Sequence, residues 1–270
     1  MAELWNDLLA CLDLVPLPGG TGFEGSNLRL EYRRLFGGQL LAQFVAAALL
    51  SGQDSGKSVK SLHVLFAREG RADETVRYAV ERHHEGRTFA TLAVTATQSG
   101  GTIATASVSM HAAEEGPARQ AVAPVREGPA QAPEVVMSLL PFETRSKVTL
   151  NARDPAPPEY SLWFRTPPAN PLFAPALAAY ATDLTLIGTA LRAVPGVSQA
   201  DSGTAFTSAV TSHTVWFHRP FRTDDWLLLR QQGPVLAHGR CFGRGDLLTA
   251  DGTLVASYAQ EALVRMAAKG

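Results

Sequence analysis

Two short motifs recur in this chain at one spacing. Gly101-Thr102-Ile103-Ala104 resembles Gly252-Thr253-Leu254-Val255, and Val64-Leu65-Phe66-Ala67-Arg68 resembles Val215-Trp216-Phe217-His218-Arg219; both pairs lie 151 residues apart (252 − 101 and 217 − 66). Independent motifs that share an offset are the mark of a duplicated unit, so whatever the first half folds into, the second half should repeat.

The first copy defines the unit. Leu4, Trp5, Leu8, Leu9 and Leu12 fall at helical spacing and predict an amphipathic helix over 3–14, ended by Pro16 and Pro18-Gly19-Gly20. Leu28 to Leu35 alternates like a strand and runs into Phe36-Gly37-Gly38. Gln39 to Leu50 is apolar nearly all the way round, which predicts a helix covered on most sides. Val59 to Ala67, Thr75 to His83, Thr88 to Gln98 and Thr102 to His111 then predict an antiparallel meander, each run β-branched or alternating.

The second copy offers a strand over Ser161 to Arg165 and an apolar helix over Leu172 to Leu191. Strands follow near Phe206–Arg219, Trp226–Gln231 and Ala237–Leu248, and the turn signal Asp251-Gly252 opens a hairpin arm from Thr253 to Glu261. Between the copies, Glu114 to Glu134 is Ala, Pro, Gly and charge without a period and reads as a linker, closed by Asp154 to Pro158. The expected fold is α+β, two tandem units that each wrap a buried helix in an antiparallel sheet. The expected divisions are 1–112, a linker over 113–158, and 159–270.

Composition bounds the function. An apolar fraction of 46% and a charged fraction of 18% belong to a chain that builds a core, and a net charge of −1 supplies no field for nucleic acid or an anionic membrane. Cys11 and Cys241 stand far apart with no His or Cys cluster, so neither a disulfide framework nor a metal site is expected and a cytoplasmic setting is. The first residues lack the basic and apolar regions of a signal peptide, and the run Phe44 to Leu50 is too short to span a bilayer.

Two side chains stand out against their surroundings. Asp183 is the one carboxylate in the apolar run Leu172–Leu191; Ala179, Tyr180, Leu186 and Ile187, three or four positions away, are all apolar. Either it sits at a helix break or it is a partly buried acid held by hydrogen bonds, and groups of the second kind mark functional sites. Gln260 ends the apolar run of the last strand, where an amide either satisfies backbone or faces a ligand. On the strand Ser212–Phe221, Thr214, Trp216 and His218 share one face, with Val215, Phe217 and Arg219 on the other. Gly37-Gly38 either lets strand and helix pack closely or presents helix-start amides to an anion or carbonyl. Gly196-Val197-Ser198 lacks the context of a nucleophile elbow, and neither a Walker loop nor a dinucleotide fingerprint occurs.

Phe36–Gln43, Ala181-Thr182-Asp183, His213–Phe221 with its string Trp-Phe-His-Arg-Pro-Phe, Asp251–Ser257 and Ala259–Arg265 resemble the acyl-CoA thioesterase II family, of double-hotdog fold. The resemblance runs over nearly the whole chain and is weakest in the linker. It implies a thioesterase acting on acyl-CoA through a water held by an Asp, a Gln and a Thr or Ser, with no metal or organic cofactor. Asp183 and Gln260 match the family Asp and Gln. The hydroxyl departs from the pattern: the position three before His213 is Val210, leaving Thr211 as the chosen candidate and Ser208 as the alternative. Gly37, Gly38, His63, Trp216, His218 and Arg219 are expected around the substrate, and Arg219, Arg222 and Arg265 could meet coenzyme A phosphates. One active site per chain, and a homodimer or higher homo-oligomer that covers open sheet edges, complete the expectation. The rivals are an acyl-CoA binding protein that has lost turnover and a hotdog hydratase using His63 or His218.

Overall fold

The computed structural model describes residues 2–20, 22–30, 33–52 and 55–267. They form two compact units. The first runs to Ala121 and takes in Ala169–Ala181 and Thr214–Phe217; the second comprises Val122–Pro168, Thr182–His213 and the chain from His218 onward.

In the first unit, α1 (Ala2–Leu12) buries Trp5, Leu8, Cys11 and Leu12. The strands β1 (Val15–Pro16), β2 (Gly22–Gly25), β3 (Lys57–Phe66), β4 (Val76–Glu85), β5 (Phe89–Gln98) and β6 (Gly101–Ala112) lie in the order β1-β2-β4-β5-β6-β3, and α2 (Gly37–Ser51) stands between β2 and β3 in sequence. Every residue of α2 from Gly38 to Ala48 is buried, as its all-round apolar sequence requires.

The second unit repeats the pattern. Its strands β7 (Glu143–Arg145), β8 (Glu159–Arg165), β9 (Phe206–Phe217, whose last four residues count with the first unit), β10 (Leu227–Ala237), β11 (Arg240–Thr249) and β12 (Leu254–Met266) lie in the order β7-β8-β10-β11-β12-β9; between β8 and β9 in sequence come α3 (Ala174–Thr182), which counts with the first unit up to Ala181, and α4 (Leu186–Leu191), which belongs to the second. Corresponding strands occupy corresponding places, so the duplication read from the 151-residue offset is a duplication of topology, and the fold is a double hotdog. The segment Pro171–Leu191 is long and apolar enough to cross a membrane, yet 72% of that window is buried inside the protein: its apolarity serves a core.

Four expectations differ from what forms. Leu28–Leu35 makes no named strand among its described residues (Glu31 and Tyr32 lie outside them); β2 pairs with β4 instead. Side chains tie this stretch down, since the Leu28 amide donates to Gln39 Oε1 at 3.0 Å and Asn27 Nδ2 donates to the Ala72 and Glu74 carbonyls. The helix over Leu172–Leu191 is two helices parted at Asp183-Leu184-Thr185. The stretch read as linker packs against the second unit: β7 pairs with β8, Phe142 stacks on Phe164, and the Glu143 carboxylate accepts from Arg145 and Arg165, whose guanidiniums lie over Trp226. A three-residue alternation is too short to register as a period. Finally, β10 runs to Ala237 and turns through His238 and Gly239, both at positive φ (52° and 72°), so the predicted boundary before Ala237 falls inside the strand.

Gly37-Gly38 packs closely in the first unit. A Cβ on Gly38 would lie 2.5 Å from the Phe36 ring and 2.6 Å from the Tyr180 carbonyl oxygen, and Tyr180 meets Phe36 edge-on with centroids 5.1 Å apart. Because one obstacle is backbone, Gly38→Ala should cost about 2 kcal/mol. A thermal melt of the variant should shift down by several degrees; an unchanged melt would show that the helix can slide aside.

Candidate active site

The site begins with the pleat of β9. His213 and Val215 point inward and are fully buried, whereas Trp216 is 44% exposed and His218 is also exposed. By the 151-residue offset the inward position of His213 corresponds to Leu62, itself fully buried, so the polar group belongs to the second copy alone.

Asp183 follows the last residue of α3, at the break between the helices, and is 5% exposed. It stands at a helix break and is buried, so it does not point to solvent. Its Oδ1 lies 3.9 Å from His213 Nδ1, too far for a hydrogen bond but close enough for each to feel the other's charge.

His213 is bound at both nitrogens. Nδ1 lies 2.9 Å from Gln260 Oε1 and Nε2 lies 3.0 Å from Thr182 Oγ1. A carbonyl oxygen only accepts, so Nδ1 carries the proton and Nε2 accepts from the Thr182 hydroxyl. Burial pushes the imidazole pKa down to about 4, against the smaller opposing effect of the Gln260 hydrogen bond, so the ring is neutral at pH 7. With its Oε1 held in this way, Gln260, 2% exposed, leaves Nε2 buried and without an acceptor in hydrogen-bonding reach. A carboxylate and a pinned, unsatisfied N–H donor thus stand on either side of one neutral imidazole, which bonds Gln260 and lies 3.9 Å from Asp183.

The remaining sequence candidates are placed as follows. Thr211 donates its hydroxyl to the Glu261 carbonyl at 3.0 Å, next in sequence to Gln260, so it anchors backbone. Val210 and Ser208 are half-buried, and neither is among the partners of Asp183, His213 or Gln260 described above. His63 is exposed and its Nδ1 bonds Thr214 Oγ1. His218 Nε2 bonds Ser257 Oγ at 3.0 Å, and Arg219 donates to the Leu254 carbonyl at 2.7 Å. Arg222 pairs with Asp224. Histidines 63 and 218 therefore stand outside the Asp183–His213–Gln260 group, and His213 has no free nitrogen to offer an enoyl substrate. Among the described residues no cluster of three or more His, Cys, Asp or Glu is placed to hold a metal. The sequence reading missed His213 and Thr182; the signal was a histidine on the core side of β9 where the first copy has Leu62.

A family model described as acyl-CoA thioesterase C-terminal domain matches residues 114–264, and one described as acyl-CoA thioesterase N-terminal domain matches 31–111. The chain belongs to the acyl-CoA thioesterase family. Acyl-CoA thioesterase 2 of Haemophilus influenzae is 29% identical over 98% of this chain and 99% of its own length, and acyl-coenzyme A thioesterase 8 of Homo sapiens is 28% identical over 94% and 88%. The crystal structure of an acyl-CoA thioesterase II, TesB2 from Mycobacterium marinum, superimposes with a TM-score of 0.80 at 30% identity, over 97% of this chain and 99% of that one. The relatives are matched nearly end to end, and both halves of the duplicated thioesterase are present.

Proposed function

We infer that the chain hydrolyses fatty acyl-CoA to the free acid and coenzyme A, and propose that Asp183 and Gln260 carry the reaction. The observation that supports these residues most is the pair itself: a buried carboxylate and a buried amide N–H without an acceptor, both beside His213. A thioester carbonyl is already electrophilic, so the enzyme must position water, accept its proton and stabilise developing charge on oxygen. Asp183 takes the proton as water oxygen bonds to the carbonyl carbon. Gln260 Nε2–H donates to the reacting oxygen. Collapse of the tetrahedral intermediate breaks the C–S bond, and the proton held by Asp183 goes to the departing thiolate.

Thiol release from a series of acyl-CoAs, short to long, tests this reading. Wild type should release thiol with an optimum at one chain length, and Gln260→Leu should lower kcat about a hundredfold to a thousandfold, the usual worth of one donor to a developing oxyanion. No release above background across the series would leave a protein that only binds acyl-CoA. We also propose a cytoplasmic setting, supported by the buried free thiols Cys11 and Cys241, and a homodimer or larger homo-oligomer. A monomeric mass by light scattering would count against the oligomer.

A further inference from the structure

Behind the site lies a buried polar group that the reaction does not use directly. Gln231, on β10, is 3% exposed. Its Nε2 donates to Thr189 Oγ1 at 2.6 Å and lies 2.9 Å from Thr185 Oγ1; its Oε1 accepts from Tyr258 Oη at 2.8 Å and lies 3.2 Å from the same Thr185 hydroxyl. Thr189 Oγ1 donates in turn to the Thr185 carbonyl at 2.8 Å. Thr185 is the residue at which α4 starts, two positions after Asp183, and its side chain makes no cap for its own helix. The hydroxyl that would ordinarily cap α4 is turned to a strand residue instead.

The other arm reaches Gln260. Tyr258 and Gln260 are both buried on one face of β12, two residues apart. The Tyr258 ring lies parallel to the His213 imidazole (interplanar angle 8°, centroids 6.2 Å apart), and His213 holds Gln260 Oε1. Burial raises the Tyr258 pKa well above its ordinary value, so the phenol stays protonated and remains the donor to Gln231. One amide therefore grips the helix start beside Asp183 through Thr185 and Thr189, and the strand carrying Gln260 through Tyr258.

We propose that Gln231 is a positioning residue that fixes the Asp183 carboxylate relative to the Gln260 amide. The inference rests on the assignment of Asp183 and Gln260 to the reaction. A contrast inside the chain sharpens it. The first unit also has a buried tyrosine donating to a glutamine, Tyr78 Oη to Gln43 Oε1 at 2.7 Å, but Gln43 Nε2 there donates to the Cys11 and Ser26 carbonyls. A Tyr–Gln pair by itself serves the fold. In the second unit the amide N–H is directed to the two threonines of the segment that begins at Asp183.

The test compares steady-state kinetics and melting temperature for Asp183→Asn, Gln231→Leu, Thr189→Val, and Gln231→Leu combined with Thr189→Val and Tyr258→Phe. The triple variant removes the Thr189 and Tyr258 hydroxyls along with the amide and leaves only the Thr185 hydroxyl without its Gln231 partner, so it should melt closer to wild type than Gln231→Leu does. The positioning role predicts kcat down at least tenfold in Gln231→Leu with KM within about twofold, a smaller fall in Thr189→Val, and kcat still low in the triple variant although its stability recovers. A purely structural role predicts that kcat returns with stability in the triple variant, and that outcome overturns the inference. If Gln231→Leu does not fold, Thr189→Val and the triple variant decide the matter: wild-type kcat in either one, at native melting temperature, overturns it. Wild-type kcat in Asp183→Asn sinks the underlying assignment instead, whatever the Gln231 variants do.

Discussion

Replacing Asp183 by Asn lowers kcat for acyl-CoA hydrolysis at least about a hundredfold, about 2.7 kcal/mol of barrier. The substitution preserves shape and removes one property: the side chain can no longer take up the proton that water must lose when it adds to the carbonyl. KM should move little, because the carboxylate acts on water and contributes little to holding coenzyme A. The fold should survive, since a 5% exposed carboxylate is exchanged for a neutral group of equal size in a site that costs a charge desolvation energy. A protein that melts normally and binds acyl-CoA, yet releases thiol a hundredfold more slowly, is the expected result. A loss below tenfold in a well-folded variant would assign Asp183 to the helix break alone.

Asp183 could be picked out from sequence because its signal is local: one carboxylate among apolar neighbours at three and four positions needs no knowledge of what lies across the core. Gln260 stood out as a polar end to an apolar strand, and the fold was legible because its duplicated topology is written as a constant offset. The parting of α3 from α4 was not. At the break the Thr185 hydroxyl bonds Gln231, 46 residues away, in place of its own helix start, and no periodicity within 172–191 records that partner. Leu28–Leu35 failed likewise: its alternation is real, but the Leu28 amide is met by Gln39 Oε1, the far end makes only an isolated bridge, Arg34 to Arg71, and the ladder position beside β4 goes to Gly22–Gly25. Sequence pattern reports which way a side chain faces. It does not report whether a backbone amide is met by another strand or by a glutamine.

The second large effect is on stability against pH, and it comes from His213. Its pKa is about 4 in the folded protein against an ordinary 6.5, because full burial penalises the charged ring. The sign is that of a histidine buried neutral. Above pH 6.5 neither the folded nor the unfolded chain protonates it and it contributes nothing to the slope. Between 6.5 and 4 the unfolded chain binds a proton that the folded chain refuses, so stability falls as pH falls; below 4 both bind it and the loss is complete. A shift of this size corresponds to about 3 kcal/mol, lost across that window. The Asp183 carboxylate at 3.9 Å works the other way and eases protonation, so Asp183→Asn should deepen the loss. The way to isolate this one group is a urea series at several pH values on wild type and His213→Gln, which bonds both neighbours without titrating. The difference in unfolding free energy between the two should be constant above pH 7 and shift against wild type by roughly 2 kcal/mol or more on reaching pH 4.5. Parallel curves over the whole range would mean that His213 takes up its proton in the folded protein, in which case the imidazole is an ion-pair partner of Asp183 rather than a neutral neighbour, and the proton acceptor in the site would have to be assigned again.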